Sequence, residues 1–94
     1  MRRAAKVDRN APEIVRRLRL IGATVTVLNN AGDGFPDIAV GYRRVNYLFE
    51  IKDPAKPPSA RRLTPAQEKW HGEWRGEAHV IETFEDALKA MGLN

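Results

Sequence analysis

Asp37, Glu50 and Lys52 are the residues whose types and spacing point to chemistry. Asp37 closes the segment Gly34-Phe35-Pro36-Asp37, and Glu50 and Lys52 flank Ile51 in Tyr47-Leu48-Phe49-Glu50-Ile51-Lys52. On an extended strand successive side chains alternate faces. Leu48, Glu50 and Lys52 therefore share one face, and Phe49 and Ile51 turn to the other. A hairpin that reverses over residues 43–46 brings the chain near 37 opposite the chain near 52. Two carboxylates so gathered repel each other unless a proton or cation lies between them. A hard divalent cation binds one or two carboxylates and keeps places for water and phosphate oxygens. Water on such an ion is more acidic, and a neighbouring ammonium stabilises negative charge that grows during reaction. These are parts for hydrolysing a phosphodiester. The plainer alternative makes Glu50 and Lys52 the wet face of an edge strand and Asp37 a turn residue after proline.

The elements that must position this set are legible in outline. Residues 11–22 predict a helix, with Ile14, Val15, Leu18 and Ile21 at helical spacing, Asn10 as cap, Pro12 in the first turn and Gly22 as terminator. Residues 23–29 alternate and are β-branched, which predicts a strand. A loop over 29–36 precedes a second strand, 37–42. Arg43-Arg44-Val45-Asn46 forms a turn in which Asn46 takes the positive φ that a tight hairpin needs. A third strand spans 47–53. The prolines of 54–62 exclude helix and sheet interior, leaving an exposed basic loop. Thr64, Pro65 and Gln67 spell a capping box that starts a helix, with Gly76 as its stop. A short strand, 78–82, and a final helix capped by Thr83, with Phe84, Ala87, Leu88 and Met91 inward, complete the chain. The order αβββαβα, with a helical crossover before the fourth strand, predicts an α/β fold with a mixed four-stranded sheet flanked by helices.

Ninety-four residues make a single domain, 1–94, with a basic arm at 1–9 and a Pro-rich basic loop at 54–63. No segment approaches the roughly 20 apolar residues of a membrane span, and no membrane partner is expected. The basic start is not followed by an apolar run, so no secretory signal is read. Cysteine is absent; this rules out disulfides and thiolate chemistry and is compatible with a cytoplasmic setting. Lysine and arginine number 16 against 12 acidic residues, a net charge of +4, which raises the prospect of a polyanionic partner. The basic residues cluster as Arg2, Arg3, Lys6 and Arg9; as Arg16, Arg17 and Arg19; as Arg43 and Arg44; and as Arg61 and Arg62.

Gly34-Phe35-Pro36-Asp37 followed by Glu50-Ile51-Lys52 resembles the signature of the PD-(D/E)XK nuclease superfamily, and the order of elements is similar to its restriction-endonuclease-like core. Leu63-Thr64-Pro65-Ala66-Gln67, with aromatic residues after it, resembles the VRR-NUC (virus-type replication-repair nuclease) branch. Its stand-alone viral and bacterial members, themselves similar to Holliday-junction resolvases, are most alike. The resemblance runs over about residues 8 to 90. It implies a Mg2+- or Mn2+-dependent endodeoxyribonuclease that acts on DNA, with Asp37 and Glu50 as metal ligands, the Ile51 carbonyl as a further ligand, and Lys52 serving the water or the transition state. It also implies a helical glutamate completing the acidic set, which Glu13 matches, with Asp8 a lesser competitor. An acid in a first turn equally complements the helix dipole, and Arg17 is a ready partner for Glu13. Gln67 matches a family glutamine near the site, besides serving its capping box.

Arg43, Arg44, Lys56, Arg61 and Arg62 are candidate phosphate contacts that position DNA without reading its sequence. Gln67, Trp70, His71 and Trp74 share a helical face suited to core packing or a dimer surface, and His71 has a DNA contact as its alternative. His79 is read as structural or exposed. A homodimer is expected, since two strands need two sites. The rival readings are a catalytically inactive nucleic-acid-binding module of the same fold, and a structural subunit whose aromatic stripe is a protein interface.

Overall fold

The computed structural model describes residues 9–93. Arg2, Arg3 and Lys6 of the basic arm, and Asp8, lie outside the described residues. The elements are α1 (Ala11–Leu20), β1 (Thr24–Val27), β2 (Ile38–Tyr42), β3 (Val45–Ile51), α2 (Pro65–Glu73), β4 (Ala78–Ile81) and α3 (Phe84–Ala90), with a 3-10 turn at Pro58–Arg61. The four strands lie in the order β1-β2-β3-β4. The β1/β2 and β2/β3 pairs are antiparallel, and β3 and β4 run parallel across the α2 crossover. This is the mixed α/β sheet that the sequence predicts.

The core lies where α1 and α3 meet the sheet. Ile14, Val15 and Leu18 of α1 pack in one cluster with Val25, Ile38, Val40, Phe49, Ile51 and Ile81 of the strands and with Phe84, Ala87 and Met91 of the last helix. Leu18, Phe49 and Ala87 are wholly enclosed. Burying an aliphatic or aromatic side chain of this size contributes about 1.5–3 kcal/mol. Ile21, placed on the same stripe by its spacing, instead caps the end of α1 and is exposed, because the helix ends at Leu20, two residues earlier than the pattern suggests.

The turn joining β2 to β3 differs from expectation. Tyr42 pairs with Val45, and Asn46 lies inside β3 opposite Gly41. Arg43 and Arg44 carry the positive φ angles, 50° and 69°. A two-residue turn that matches the twist of its strands requires φ > 0 at both central positions, so the arginines bear it. The 54–62 segment is not wholly irregular either: Pro58 sits in the first turn of the 3-10 turn, where a missing N–H costs nothing.

Gln67 and Thr64 make the reciprocal capping box read from the sequence, as do Thr83 and Asp86 at α3. Asn10 occupies the first cap position without making a cap bond. Its Nδ2 instead donates to the carbonyls of Lys52, at 3.0 Å, and Glu82, at 2.7 Å. One side chain thus ties the start of α1 to the ends of β3 and β4. None of the nine residues of α2 is buried; its attachment is polar and aromatic. Among the described residues no helix is long and apolar enough to cross a membrane.

Candidate metal centre

The register of the β2/β3 hairpin decides which side chains meet. Ile38 pairs with Phe49, and the Asp37 N–H donates to the Phe49 carbonyl at 3.0 Å. The pairing ends there, and the Asp37 carboxylate lies close enough to Glu50 to act on its carboxyl. The Asp37 carboxylate is also anchored, its Oδ2 accepting from the Ile51 N–H at 2.8 Å. Gly34 makes the approach to Asp37 possible. It has φ of +80°, and a β-carbon there would stand 2.3 Å from the Ala66 carbonyl oxygen, so only glycine lets the loop lie against the first turn of α2.

Glu50 and Lys52 are not a wet strand face. They are 3% and 8% exposed, although Phe49 and Ile51 fill the core on the opposite side as the strand pleat requires. Gln67 closes over them. Its Nε2 donates to Glu50 Oε2 at 3.0 Å, and its Oε1 accepts from Lys52 Nζ at 3.0 Å. Lys52 Nζ stands 3.5 Å from the same Glu50 oxygen. The amide therefore turns its donor to the carboxylate and its acceptor to the ammonium. Its Oε1 also accepts from the Thr64 N–H at 2.9 Å, so the cap and the site share one side chain.

Burial raises the Glu50 carboxyl to about 7, and the neighbouring Asp37 carboxylate adds to the rise, while Lys52 opposes it. Glu50 Oε1 is buried without a hydrogen-bond partner. A buried carboxylate oxygen left unpaired beside a second carboxylate is costly, and a cation between them relieves both defects. All donors are hard oxygens, two of them carboxylates, which suits Mg2+ or Mn2+ and leaves places for water or phosphate. Among the described residues there is no group of three or more acidic, histidine or cysteine ligands; the acidic cluster here consists of two carboxylates, Asp37 and Glu50.

The remaining candidates are distributed unevenly. Glu13 is on the exposed side of α1, where it holds Arg16 rather than Arg17. Arg17 lies over the Phe84 ring and pairs with Glu85. Arg43 and Arg44 are at the far end of the hairpin, roughly 20 Å from Asp37 by strand rise, and the Arg43 guanidinium lies over Tyr42. Arg61 pairs with Glu82 at 3.5 Å; Arg62 is exposed, and Lys56 is half-buried on the same segment. The face expected to carry Gln67, Trp70, His71 and Trp74 divides. Phe35, two residues before Asp37, meets the rings of Trp70 and Trp74, which stack at 4.7 Å. His71 Nε2 is buried without a partner, and burial, then the charge of Lys52, holds its imidazole below the usual range. His79 bonds Glu77 at 2.8 Å. Asn10 is the positioning residue that sequence reasoning missed: it looks like an ordinary cap, and nothing local signals that its amide reaches Lys52.

No protein-family model matches the chain, and no curated protein sequence matches it. Among solved structures, one described as "VRR_NUC domain" superposes with a TM-score of 0.65 and 26% identity, over 89% of this chain and 91% of that one. By fold, and by the residues gathered where that fold brings β2, β3 and α2 together, the chain is similar to the VRR-NUC branch of the PD-(D/E)XK nucleases, and that likeness supports the resemblance read from its sequence.

Proposed function

We propose that this nuclease-type domain is a divalent-metal-dependent endodeoxyribonuclease, selective for branched DNA such as a Holliday junction, and that it works as a homodimer. One observation carries the reading: Glu50 keeps a buried, unpartnered oxygen beside the Asp37 carboxylate, with Lys52 held at the same place by Gln67. Asp37 and Glu50 would hold Mg2+ or Mn2+, with the Ile51 carbonyl as a further ligand. Glu13 would join them only from a rotamer that releases Arg16. Such an ion, when bound, would supply positive charge at a phosphate oxygen and acidify a water.

The chain's own groups do the rest. Glu50 must lose its proton to act as a ligand, and Lys52 lowers the cost of doing so. The Lys52 ammonium, held by Gln67, faces the carboxylate pair and stabilises charge that develops on the phosphate. Gln67 fixes the distance between the two charged groups. Two-fold pairing of subunits would set two such sites on the two strands of a branched substrate, with Lys56, Arg61, Arg62, Arg43 and Arg44 offered to backbone phosphates.

Cleavage of a panel of synthetic DNAs (junction, flap, nick, plain duplex and plasmid) with Mn2+, with Mg2+ and with EDTA tests this. Wild type should cut at least one branched substrate in metal, and Asp37→Ala, folded by circular dichroism, should lose at least about a thousandfold in rate. No cleavage of any substrate in Mn2+, or full activity in Asp37→Ala, overturns the reading.

A further inference from the structure

The metal centre does not account for the groove beside it. A cavity of about 590 Å³ is lined by residues of α1 and β1 and also by Asp37 and Ile51. Its apolar wall includes Leu20 and Val27, and Arg16, Arg19 and Asn29 also line it. Leu20 and Val27 are 71% and 50% exposed, a large apolar exposure for neighbouring positions in so small a domain. Asp37 is the acidic residue among those lining the cavity, and the arginines give the remainder a positive charge.

The three arginines of α1 are used differently. Arg17 is taken by Phe84 and Glu85. Arg19 donates to the Val25 carbonyl at 2.9 Å, bracing β1. Arg16 faces the groove and holds Glu13 in a two-pronged grip: Nε to Oε1 at 3.0 Å and Nη2 to Oε2 at 2.6 Å. Both side chains of this pair are more than half exposed, and an exposed pair of this kind contributes little to stability. Glu13 shares the angular face of Leu20 but lies about two turns, roughly 10 Å, along the helix from it, and unlike Arg16 it is not among the residues that line the groove. A phosphodiester presents two free oxygens to a guanidinium fork much as a carboxylate does.

We propose, resting on the nuclease reading above, that this groove seats the nucleotide next to the scissile phosphate. Arg16 takes that nucleotide's backbone phosphate in exchange for Glu13, and the sugar lies against Leu20 and Val27. Glu13 is then the resting counter-ion of a phosphate site, released when DNA enters.

Binding of fluorescein-labelled duplex and junction DNA, measured by anisotropy in EDTA over a range of salt, tests this without metal ligation entering. Arg16→Ala should weaken binding about tenfold and reduce the slope of log affinity against log salt by about one. Arg16→Lys, which keeps the charge and loses the fork, should recover only part of the affinity. Glu13→Gln should bind a few-fold tighter than wild type, because the competing carboxylate is gone. Circular dichroism checks the fold of each variant, and Arg16→Lys and Glu13→Gln decide the matter if Arg16→Ala does not fold. Unchanged affinity and slope in Arg16→Ala, or weaker binding by Glu13→Gln, overturns the proposal. So does Leu20→Asp converting a dimer to a monomer with DNA affinity intact, since a second copy then fills the groove. The expected binding shifts without cleavage in Mn2+ would support the groove while the nuclease reading falls. Cleavage by wild type with no shift in any variant would remove the groove and leave the nuclease reading standing.

Discussion

Gly34 and Ala66 meet backbone to backbone, close enough that a β-carbon at position 34 would stand 2.3 Å from the Ala66 carbonyl oxygen. This approach joins the loop that carries Asp37 to the helix turn that carries Gln67. α2, with no buried residue of its own, is held to the sheet by this seam, by the Gln67 bonds and by the Phe35–Trp70 contact.

Gly34→Ala should therefore do more than tighten a loop. The β-carbon would require α2 to shift, and φ of +80° is unfavourable for alanine. A loss of about 2–4 kcal/mol is expected in urea denaturation, with weakened metal binding. A variant as stable as wild type would show that α2 moves freely at this seam.

Thr64→Ala and Gln67→Ala separate the cap from the site. Thr64→Ala removes a cap acceptor and should cost about 1 kcal/mol with cleavage almost unchanged. Gln67→Ala removes the same box and also frees Lys52 and Glu50, so a comparable stability loss should come with at least a tenfold fall in rate. Equal rates in the two variants would reduce Gln67 to a capping residue.

Acidity should act on the metal-free protein in an unusual direction. Glu50 holds its proton to about 7 when folded against 4.5 as its ordinary value, so between those values the folded state binds more protons than the unfolded. Stability is then fully present below about 4.5 and falls as pH rises through 7, by up to a few kcal/mol, on the order of 3. Metal affinity runs the opposite way, rising up to tenfold per pH unit until Glu50 is ionised near 7. Thermal melts in EDTA and in Mn2+ across pH 4 to 9 would read both. Glu50→Gln should flatten the EDTA curve, stabilise the metal-free protein above pH 7 and abolish the Mn2+ effect. A falling metal-free stability that persists in Glu50→Gln would place its origin elsewhere.

Asn10→Ala should cost about 1–3 kcal/mol, since two hydrogen bonds to the carbonyls of Lys52 and Glu82 disappear. An ordinary exposed cap would cost less, and Asn10→Ser, which restores a cap oxygen but not the reach, should not recover the loss. Chemical denaturation of the two variants side by side distinguishes the roles.

Much of this was legible in advance because it depends on short-range rules. The capping boxes at Thr64 and Thr83 need only residues three apart, and the strand alternation at Leu48 to Lys52 needs only the pleat. The burial of Glu50 and Lys52 was not legible, because it depends on Gln67 arriving from another helix. The arginines at the hairpin turn take positive φ because the β2/β3 register requires a two-residue turn. Local preference alone favours Asn46 for that role.

Residue type and order by themselves determined the αβββαβα course, the mixed sheet and the identities of Asp37, Glu50 and Lys52, since periodicity and turn chemistry act over a few residues at a time. Tertiary structure decided the partners: Asp37 beside Glu50, Asn10 on Lys52, and Arg16 rather than Arg17 on Glu13. Those choices depend on register, twist and the packing of distant segments. Such quantities take their values only when the whole chain closes on one core.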